Sequence, residues 1–375
     1  MESTTTAKPR ILLLSTAYLP LIGGSELAIH HIANRLTGTD FDLVTGRYHP
    51  TTKLMETIGR VRVFRAGGRW ARIPLVLPKL LLPIAIAATA LRLMRTHHYD
   101  AVHAYQASQA AGAAWLMKIF RPRVPLIITI QEGKDLENQS WLVRLIRSAI
   151  IRRADVVTAI SAHLAAYAGR YTSSPIRIIP NGVTVHTIPQ VKNPDPTILT
   201  VSRLVPKNNV EGVIRAFVAV RRSITNARLA IVGDGPLRQD LESLASELGI
   251  REAVDFIGII PHEQLAVVYA AADVFVRPSL SEGLGSVFLE AMAARVPVVA
   301  SAVGGIPDIV HDEQTGLVCN QHDAADIARA IVRVLEDRPL RERMVLNAER
   351  MVREKYDWDI IALHMDRLYK EIARP

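Results

Sequence analysis

One local pattern recurs along most of the chain: a short apolar run of strand length, then a loop, then a stretch with helical periodicity. Most residues in these runs are apolar, so neither face of the strand is patterned for contact with water. Such runs are typical of parallel strands that helices cover on both faces. The repeated strand–helix–strand order therefore predicts a doubly wound α/β architecture. The first series of predicted strands comprises Arg10–Ser15, Asp42–Thr45, Val61–Arg65, Ala101–Tyr105, Leu126–Gln131, Val156–Ile160 and Ile176–Pro180.

The pattern is interrupted at residues 180–191 (PNGVTVHTIPQV), where an Asn-Gly pair and two prolines indicate a connector. A second series of predicted strands follows it, at Ile198–Arg203, Leu229–Gly233, Val254–Gly258, Val274–Arg277 and Val296–Ser301. We therefore expect a first domain at residues 1–190, a second at 191–355 and a final helical segment at 356–375. The length of 375 residues agrees with two domains, at about 150 residues for each.

Cysteine content and hydropathy limit the compartment. The single cysteine, Cys319, excludes a disulfide within the chain and a cysteine-based zinc or iron–sulfur site. The first ten residues contain no apolar segment of the kind found in secretory signals. The longest apolar stretch, Ile73–Leu91, contains three prolines and a lysine, whereas a membrane span needs about 20 uninterrupted apolar residues. We expect a cytoplasmic protein, with this stretch forming a buried or interfacial helix.

Charge is distributed unevenly along the chain. Residues 1–190 carry 23 Lys and Arg against 10 Asp and Glu, whereas residues 191–375 carry 22 against 26. A basic half of this kind indicates an anionic partner, although a solvated basic surface is the alternative. Nucleic acid is disfavoured, because the chain has no zinc-finger spacing or RNP-like motif and only 5% aromatic residues. The segment Arg60–Arg95 combines cations with an apolar, Trp-containing stretch, which predicts either a peripheral contact with anionic lipid headgroups or a core helix with a basic exposed face.

Several predicted strands of the second half are followed by loops whose side chains suit ligand binding. Ligands of parallel sheets bind at the carboxyl ends of the strands, so these loops are candidate site segments. Arg203 and Lys207 lie four residues apart in such a loop, and two cations at this spacing suit a diphosphate. Gly233 and Gly235 follow the next strand and either shape a nucleotide pocket or form a simple turn. The chain contains no complete G-x-G-x-x-G or P-loop motif.

The most specific motif is RPSLSEGLGSVFLE at residues 277–290, which places Glu282 and Glu290 eight residues apart. Glu282 precedes a predicted helix and Glu290 lies inside it among apolar residues. The glycine-rich entry exposes backbone amides to a ligand; its residues are Gly283, Leu284, Gly285 and Ser286. We expect the two carboxylates to contact opposite ends of one extended ligand.

Two segments of the first half have similar positions. Gly23 and Gly24 follow the first strand and open a helix, where backbone N–H groups are available to an anion. A glycine pair alone is also consistent with a turn. Gln131, in the segment TIQEG at residues 129–133, ends another predicted strand.

Together these motifs resemble those of glycosyltransferase family 4, a family of retaining enzymes with the GT-B fold. The resemblance covers nearly the whole chain, and its most specific part is the Glu282–Glu290 pair, which is similar to the family's Glu-x7-Glu motif. The other segments that carry it are GGSE at 23–26, ADVVTAIS at 154–161, IPNGV at 179–183, SRLVPKN at 202–208, VGDGP at 232–236, VGGIPD at 303–308 and the final helix at 358–372.

The resemblance implies two facing Rossmann-like domains with a deep cleft, and a last helix that crosses back to the first domain. It implies retaining transfer of a sugar from a nucleotide-sugar donor to an acceptor, which we expect to be a lipid-linked or cell-envelope glycan. Arg203 and Lys207 would neutralise the departing diphosphate, Glu290 would bind the ribose, and Glu282 with the amides of residues 283–286 would hold the donor sugar. Gly24 would bring the backbone close to the diphosphate.

The chain departs from the family pattern at three positions. Gln131 stands where the family often has a histidine, and Arg295 and Asp308 stand where glycine and glutamate are more frequent. Gln131 keeps hydrogen-bonding capacity but carries no charge. His103, at the end of a predicted strand, is a candidate contact on the acceptor side. Arg295 is compatible with its turn unless the backbone there needs a positive φ.

No metal or other cofactor is expected, because both Asp-x-Asp sequences, at 40–42 and 357–359, lie at predicted element starts. The alternatives are a non-transferring GT-B enzyme, such as a nucleotide-sugar epimerase, and an inactive sugar-binding paralogue. A glycan phosphorylase would need a pyridoxal cofactor and a longer chain. If transfer is the function, we expect Glu282→Gln and Lys207→Ala each to remove most activity without unfolding the protein.

Overall fold

A computed structural model describes residues 8–48, 51–67, 76–132, 136, 139–185 and 193–373 of the chain, with side chains of the helix at 76–96 described from residue 81 onwards. These residues form two compact units. Unit 1 comprises Met1–Asn181 together with Trp358–Pro375, and unit 2 comprises Gly182–Asp357. The sequence places the first boundary at residue 190, within the segment 186–192 that lies outside the described residues.

Unit 1 is built on an eight-stranded sheet with the strand order β3-β4-β2-β1-β5-β6-β7-β8. All neighbouring strands are parallel except β3 and β4. The strands are β1 (Arg10–Ser15), β2 (Asp40–Gly46), β3 (Met55–Ile58), β4 (Val61–Ala66), β5 (Ala101–Tyr105), β6 (Leu126–Ile130), β7 (Val156–Ala159) and β8 (Ile176–Ile178). Its first five helices are α1 (Gly24–Arg35), α2 (Val76–Thr96), α3 (Gln109–Phe120), α4 (Trp141–Ile151) and α5 (Ala162–Gly169).

Unit 2 contains a six-stranded, wholly parallel sheet with the order β11-β10-β9-β12-β13-β14. Its strands are β9 (Thr197–Val201), β10 (Arg228–Val232), β11 (Val254–Gly258), β12 (Val274–Arg277), β13 (Val298–Ser301) and β14 (Leu317–Cys319). The helices are α6 (Val210–Ser223), α7 (Arg238–Glu247), α8 (His262–Ala270), α9 (Ser286–Ala293), α10 (Ala324–Glu336) and α11 (Arg338–Met351). The predicted fold class, α/β with two Rossmann-like domains, is confirmed.

The apolar runs behave as the sequence pattern indicates. All residues of β5, β6, β12 and β13 are buried, because helices cover both faces of each sheet. Strands β3 and β14 have four and three residues and were not expected from the sequence. Both lie at the edge of their sheet, where very short strands are typical.

The last helix, α12 (Trp358–Ala373), belongs to unit 1 although unit 2 precedes it in the chain. Trp358 stacks on His31 of α1, with ring centroids 4.8 Å apart. The Asp359 carboxylate accepts a hydrogen bond of 2.6 Å from the Arg35 guanidinium. At the other end of the helix, Tyr369 is fully buried in the core of the unit.

Arg295 is one of the few residues other than glycine with a positive φ, +61°. L-residues in this region are strained, so we expect Arg295→Gly to raise the free energy of unfolding by about 1 kcal/mol. The substitution also removes the partly exposed ion pair of Arg295 with Glu349, but the Glu349 carboxylate keeps Arg353 as a partner at 3.0 Å, so the loss should be small. Urea denaturation of the variant measures the change.

The matched control is Arg343→Gly, an exposed position inside α11. Glycine in a helix interior costs about 1 kcal/mol, so the two Arg→Gly substitutions should shift stability in opposite directions. Equal destabilisation by both would contradict the strain at Arg295.

Candidate active site

The loop after β9 carries the two predicted diphosphate cations. Arg203 is exposed and Lys207 is half-buried within a short 3-10 turn at Pro206–Asn208. The loop is fixed from inside, because the Asn208 amide donates a 2.6 Å hydrogen bond to the carbonyl oxygen of Arg203. Both cations therefore belong to a defined loop at the carboxyl end of a central strand.

Gly233 and Gly235 bring the loop after β10 against the loop after β9. A Cβ at Gly233, whose φ is +123°, would lie 1.9 Å from the Ser202 carbonyl oxygen, and one at Gly235 would lie 2.4 Å from that of Leu204. The Leu204 N–H donates a 2.9 Å hydrogen bond to the Asp234 carbonyl oxygen across this contact. The two glycines thus position the cationic loop through backbone contacts, whether or not they also touch a ligand.

Glu282 is paired with a buried arginine of β12. The Arg277 guanidinium Nη2 lies 2.6 Å from Glu282 Oε2 and also donates a 2.7 Å hydrogen bond to Asn208 Oδ1. The other carboxylate oxygen of Glu282 accepts a 3.0 Å hydrogen bond from the Gly283 N–H. The side chains of Arg277 and Glu282 are only 8% and 11% exposed, so the pair is largely withdrawn from water. Arg277 begins the motif at residues 277–290 and Asn208 ends the segment at residues 202–208, but the hydrogen bond between them was not predicted.

Backbone contacts hold the Glu282 segment to its neighbours on both sides. The Leu280 N–H donates a 2.7 Å hydrogen bond to the Lys207 carbonyl oxygen. On the other side, the Gly305 N–H donates to the Glu282 carbonyl oxygen, and a Cβ at Gly304 would lie 1.9 Å from that same oxygen. The loops that contain Lys207, Glu282 and Gly304 consequently form one connected arrangement at the carboxyl ends of β9, β12 and β13.

The glycine-rich entry to α9 lies as the motif predicts, between Glu282 and the helix start at Ser286. Gly283, Leu284 and Gly285 are buried, and the Gly283 N–H donates its hydrogen bond to Glu282 Oε1. Gly285 has φ +90°, and a Cβ there would lie 2.4 Å from the Phe288 ring. Glycine is required at this helix entry for steric reasons.

Glu290 lies in α9 and contacts two side chains of α8. It accepts a 3.0 Å hydrogen bond from the Tyr269 hydroxyl, and its other oxygen lies 3.4 Å from His262 Nε2. Glu290 raises the pKa of His262, chiefly through this hydrogen bond. Burial, followed by the nearby Glu290 charge, raises the pKa of Tyr269. Neither partner of Glu290 was predicted, because the sequence pattern does not indicate which residues of α8 contact α9.

The His262–Glu290 contact predicts a pH dependence of stability. A histidine whose pKa is raised on folding stabilises the folded state fully below its unfolded value, near 6.5, and this contribution is lost as pH rises through the folded value. We therefore expect His262→Gln to lower the melting temperature more at pH 5.5 than at pH 8.5. The control His322→Gln, at an exposed position of the same unit, should show no such difference. A pH-independent effect at position 262 would contradict the contact.

In unit 1, the glycine pair lies at the start of α1, with Gly23 as the N-cap. A Cβ at Gly24 would lie 3.3 Å from Asn181 Nδ2, so this position approaches the segment IPNGV closely. Next to this glycine pair in the chain, Ser25 Oγ accepts a 3.0 Å hydrogen bond from the Gln106 side-chain amide. The Ser25 hydroxyl in turn donates a 3.0 Å hydrogen bond to Glu26 Oε2. Burial raises the pKa of Glu26. This polar chain was not predicted, although Ser25 and Glu26 are part of the GGSE motif.

Gln131 follows β6 and is partly exposed, and its backbone N–H donates a 2.9 Å hydrogen bond to Glu132 Oε2. Burial raises the pKa of Glu132. Residues 133–135, which continue this motif, lie outside the described part of the chain. The expectation that Gln131 contacts the acceptor or the donor sugar stays a prediction.

His103 does not have the surroundings of an acceptor contact. It is fully buried in β5, with Nδ1 2.7 Å from the Tyr369 hydroxyl and Nε2 2.5 Å from Thr129 Oγ1. Burial lowers its pKa to about 3, so the ring is neutral. Both ring nitrogens are occupied within the protein. The sequence expectation is corrected accordingly: His103 joins α12 to the sheet.

Among the described residues, no group of three or more His, Cys, Asp or Glu side chains is arranged to hold a metal ion. Within the same residues, no helix is both long enough and apolar enough to cross a membrane. The single cysteine, Cys319, is buried in β14, and burial raises its pKa to about 12.

Comparisons with known proteins identify the family to which the chain belongs. The family model described as glycosyl transferases group 1 matches residues 185–351, and that of a glycosyl transferase 4-like domain matches residues 23–182. A GDP-mannose-dependent alpha-(1-6)-phosphatidylinositol monomannoside mannosyltransferase of Mycolicibacterium smegmatis is 31% identical over 354 residues, which cover 87% of this chain and 89% of that protein. An uncharacterized glycosyltransferase of Methanocaldococcus jannaschii is 41% identical over 180 residues, but these cover only 48% of this chain and 46% of that protein.

A solved structure extends the likeness to the fold. Sucrose-phosphate synthase from Thermosynechococcus elongatus superposes with a TM-score of 0.83 and 26% identity, covering 97% of this chain and 99% of that one. The two family models together account for most of the sequence, and the mycobacterial relative is similar over nearly the full length. The resemblance inferred from the motifs is confirmed: this chain is a glycosyltransferase that belongs to the glycosyl transferases group 1 family.

Proposed function

We propose that this enzyme moves a sugar, with retention of anomeric configuration, from a nucleoside-diphosphate sugar to a lipid-linked or cell-envelope glycan. The observation that carries the proposal is the direct backbone hydrogen bond from Leu280 to Lys207. It joins a loop with two cations to the segment that holds Glu282, so charges suited to a diphosphate and a carboxylate suited to sugar hydroxyls belong to one arrangement.

In this proposal Arg203 and Lys207 bind the diphosphate and stabilise the charge that develops on it as the bond to the sugar breaks. Interactions of this kind contribute most when they are stronger in the transition state than in the ground state. Glu282 and the amides of residues 283–286 hold the donor sugar, and Glu290 accepts hydrogen bonds from the ribose. A backbone contact of Gly24 with the diphosphate stays a prediction of the sequence resemblance. No carboxylate nucleophile is required if the acceptor attacks on the face that the leaving group vacates.

The acceptor class is supported by the mycobacterial relative, whose name specifies phosphatidylinositol monomannoside, a glycolipid. The basic composition of residues 1–190 supports a second part of the proposal, namely that unit 1 binds the acceptor and meets an anionic membrane from the cytoplasmic side. Part of the membrane segment expected from the sequence, residues 68–75, lies outside the described residues.

The experiment that tests the function is a nucleotide-sugar screen. Binding is measured for a panel of GDP-, UDP- and ADP-sugars, and the bound donors are then incubated with lipid-linked and polysaccharide acceptors. We expect one donor class to give a glycosylated product whose anomeric configuration equals that of the donor. Epimerised donor without transfer would support the epimerase alternative, and binding without turnover would support an inactive sugar-binding paralogue.

Metal independence stays a prediction with its own test. If Arg203 and Lys207 stabilise the leaving group, transfer should proceed at an unchanged rate in excess EDTA, because these side chains supply the positive charge that a divalent cation would otherwise supply. The rate is measured with and without EDTA at saturating donor. Loss of activity in EDTA that Mn²⁺ restores would contradict the prediction.

A further inference from the structure

The first half of α4 presents an apolar surface to solvent. Residues 141–146 (WLVRLI) are all exposed, with residue Trp141 70% and residue Leu145 55% accessible. Leu142, Val143 and Ile146 are also among the exposed large apolar residues of the protein. A contiguous exposed surface of this kind on one helix is unusual for a soluble protein and indicates an interaction site.

The second half of α4 fixes the helix to unit 1. Ile150 and Ile151 are buried, and the buried Arg147 donates a 3.2 Å hydrogen bond to the Ala107 carbonyl oxygen and another to Gln139. The helix is therefore anchored by one end and one face. Its exposed residues Trp141, Leu142, Leu145 and Ile146 are presented on a supported helix rather than on an unattached segment.

Charge indicates what covers this surface. Residues 141–153 contain four arginines and no acidic residue. Arg144, Arg152 and Arg153 are exposed, so cations lie beside and beyond the apolar residues. An apolar helix face with tryptophan at one end and arginines around it suits the boundary between lipid headgroups and acyl chains. We propose that the α4 face, defined as Trp141, Leu142, Leu145 and Ile146 with Arg144, Arg152 and Arg153, docks the enzyme on an anionic bilayer.

This inference rests on the proposed membrane association and moves it to another part of unit 1. Within the Arg60–Arg95 segment, Arg62 is paired with Asp42 at 2.6 Å and the buried Arg65 is paired with Glu56. The described part of α2 directs Ile86 and Ala90 into the protein, where the helix packs against α3. These residues are committed to the fold, whereas the apolar residues of α4 are not.

A second copy of the chain fits the same surface less well. In a symmetric dimer that pairs two such faces, the arginines of each helix would approach those of the other. Like charges facing each other across an interface disfavour association. An anionic headgroup layer instead provides opposite charge around the apolar residues.

The test is co-sedimentation of the full chain with vesicles of phosphatidylcholine and vesicles that contain phosphatidylglycerol. We expect binding to the anionic vesicles that weakens as salt is raised. Leu142→Ser/Leu145→Ser/Ile146→Ser should reduce the bound fraction about tenfold or more, since three apolar side chains no longer leave water on docking. Arg144→Ser/Arg152→Ser/Arg153→Ser should remove the preference for anionic lipid.

A matched control keeps the number and kind of substitutions but changes their position. Ile84→Ser/Leu346→Ser/Leu363→Ser replaces three comparably exposed apolar residues on α2, α11 and α12. This control should bind vesicles as the unmodified protein does. Brominated lipid should quench tryptophan fluorescence, and Trp141→Phe should abolish most of that quenching. Thermal melts establish that each variant is folded.

The outcomes separate this inference from the proposals on which it rests. If the unmodified protein binds and the α4 variant binds equally well, the docking surface is elsewhere and the inference fails, while membrane association stands. If the unmodified protein binds neither kind of vesicle, both the α4 inference and the proposed membrane association fail. A concentration-dependent dimer that the α4 variant abolishes would assign the surface to a second copy. Transfer to a water-soluble acceptor, which should be unchanged in the α4 variant, tests the proposed reaction independently.

Discussion

Replacement of Lys207 by alanine is expected to reduce sugar transfer by about 10²–10³-fold at saturating donor. The Lys207 ammonium group belongs to the loop that is hydrogen-bonded through its backbone to the Glu282 segment. In the proposed function this loop binds the departing diphosphate. The change should appear in kcat as well as in kcat/KM, because the charge on the diphosphate grows as the glycosidic bond breaks. The melting temperature should change little, since the half-buried side chain is outside the hydrophobic core.

The control for Lys207 is Lys355→Ala, which removes an exposed lysine of the same unit that belongs to none of the quoted motifs. It should retain full activity. If the Lys207 variant transfers sugar at a rate near that of the unmodified enzyme, the cation does not stabilise the leaving group and the assignment of this loop is wrong.

Glu282→Gln is expected to reduce transfer on a similar scale, about 10²–10³-fold, and also to destabilise the protein. The sequence interpretation expected activity to fall without loss of stability. In the structure, however, the two carboxylate oxygens accept from Gly283 and from the buried Arg277. Glutamine offers only one acceptor, so its amino group would face a donor and the arginine charge would lose its partner. A buried group left unsatisfied costs about 1–3 kcal/mol.

A second substitution separates the two effects. Combining Glu282→Gln with Arg277→Met removes the uncompensated charge, although it also removes the hydrogen bond that Arg277 donates to the buried Asn208. We expect the double variant to recover part of the lost stability in urea denaturation but none of the lost transfer. Recovery of activity together with stability would show that Glu282 acts only in folding.

The sequence predicts the architecture well because parallel strands buried on both faces leave a strong signal. The runs at Arg10–Ser15, Ala101–Tyr105 and Val274–Arg277 coincide with β1, β5 and β12. The candidate site loops are predicted for the same reason, since each follows a buried parallel strand and must lie at its carboxyl end. The short edge strands β3 and β14 lack such a signal and were missed.

Side-chain partners are predicted less well, because they depend on how distant segments are placed in space. Tyr269 reaches Glu290 across 21 residues, and Arg277 reaches Asn208 across 69. The interpretation of His103 failed for this reason. The His103 ring is hydrogen-bonded to Tyr369, which lies 266 residues further along the chain, and no local pattern in β5 indicates that partner.

The return of α12 to unit 1 has a consequence for synthesis. Domains fold as units while a chain emerges from the ribosome, usually beginning with the first to be made. Here the core of unit 1 includes Trp358, Ile361 and Tyr369, which are translated after all of unit 2. Unit 2 has all of its residues once Asp357 is made, whereas unit 1 has to wait for the last helix. The half of the enzyme that is translated first is therefore completed last, and until then the apolar residues of unit 1 that share a core with α12 lack its cover.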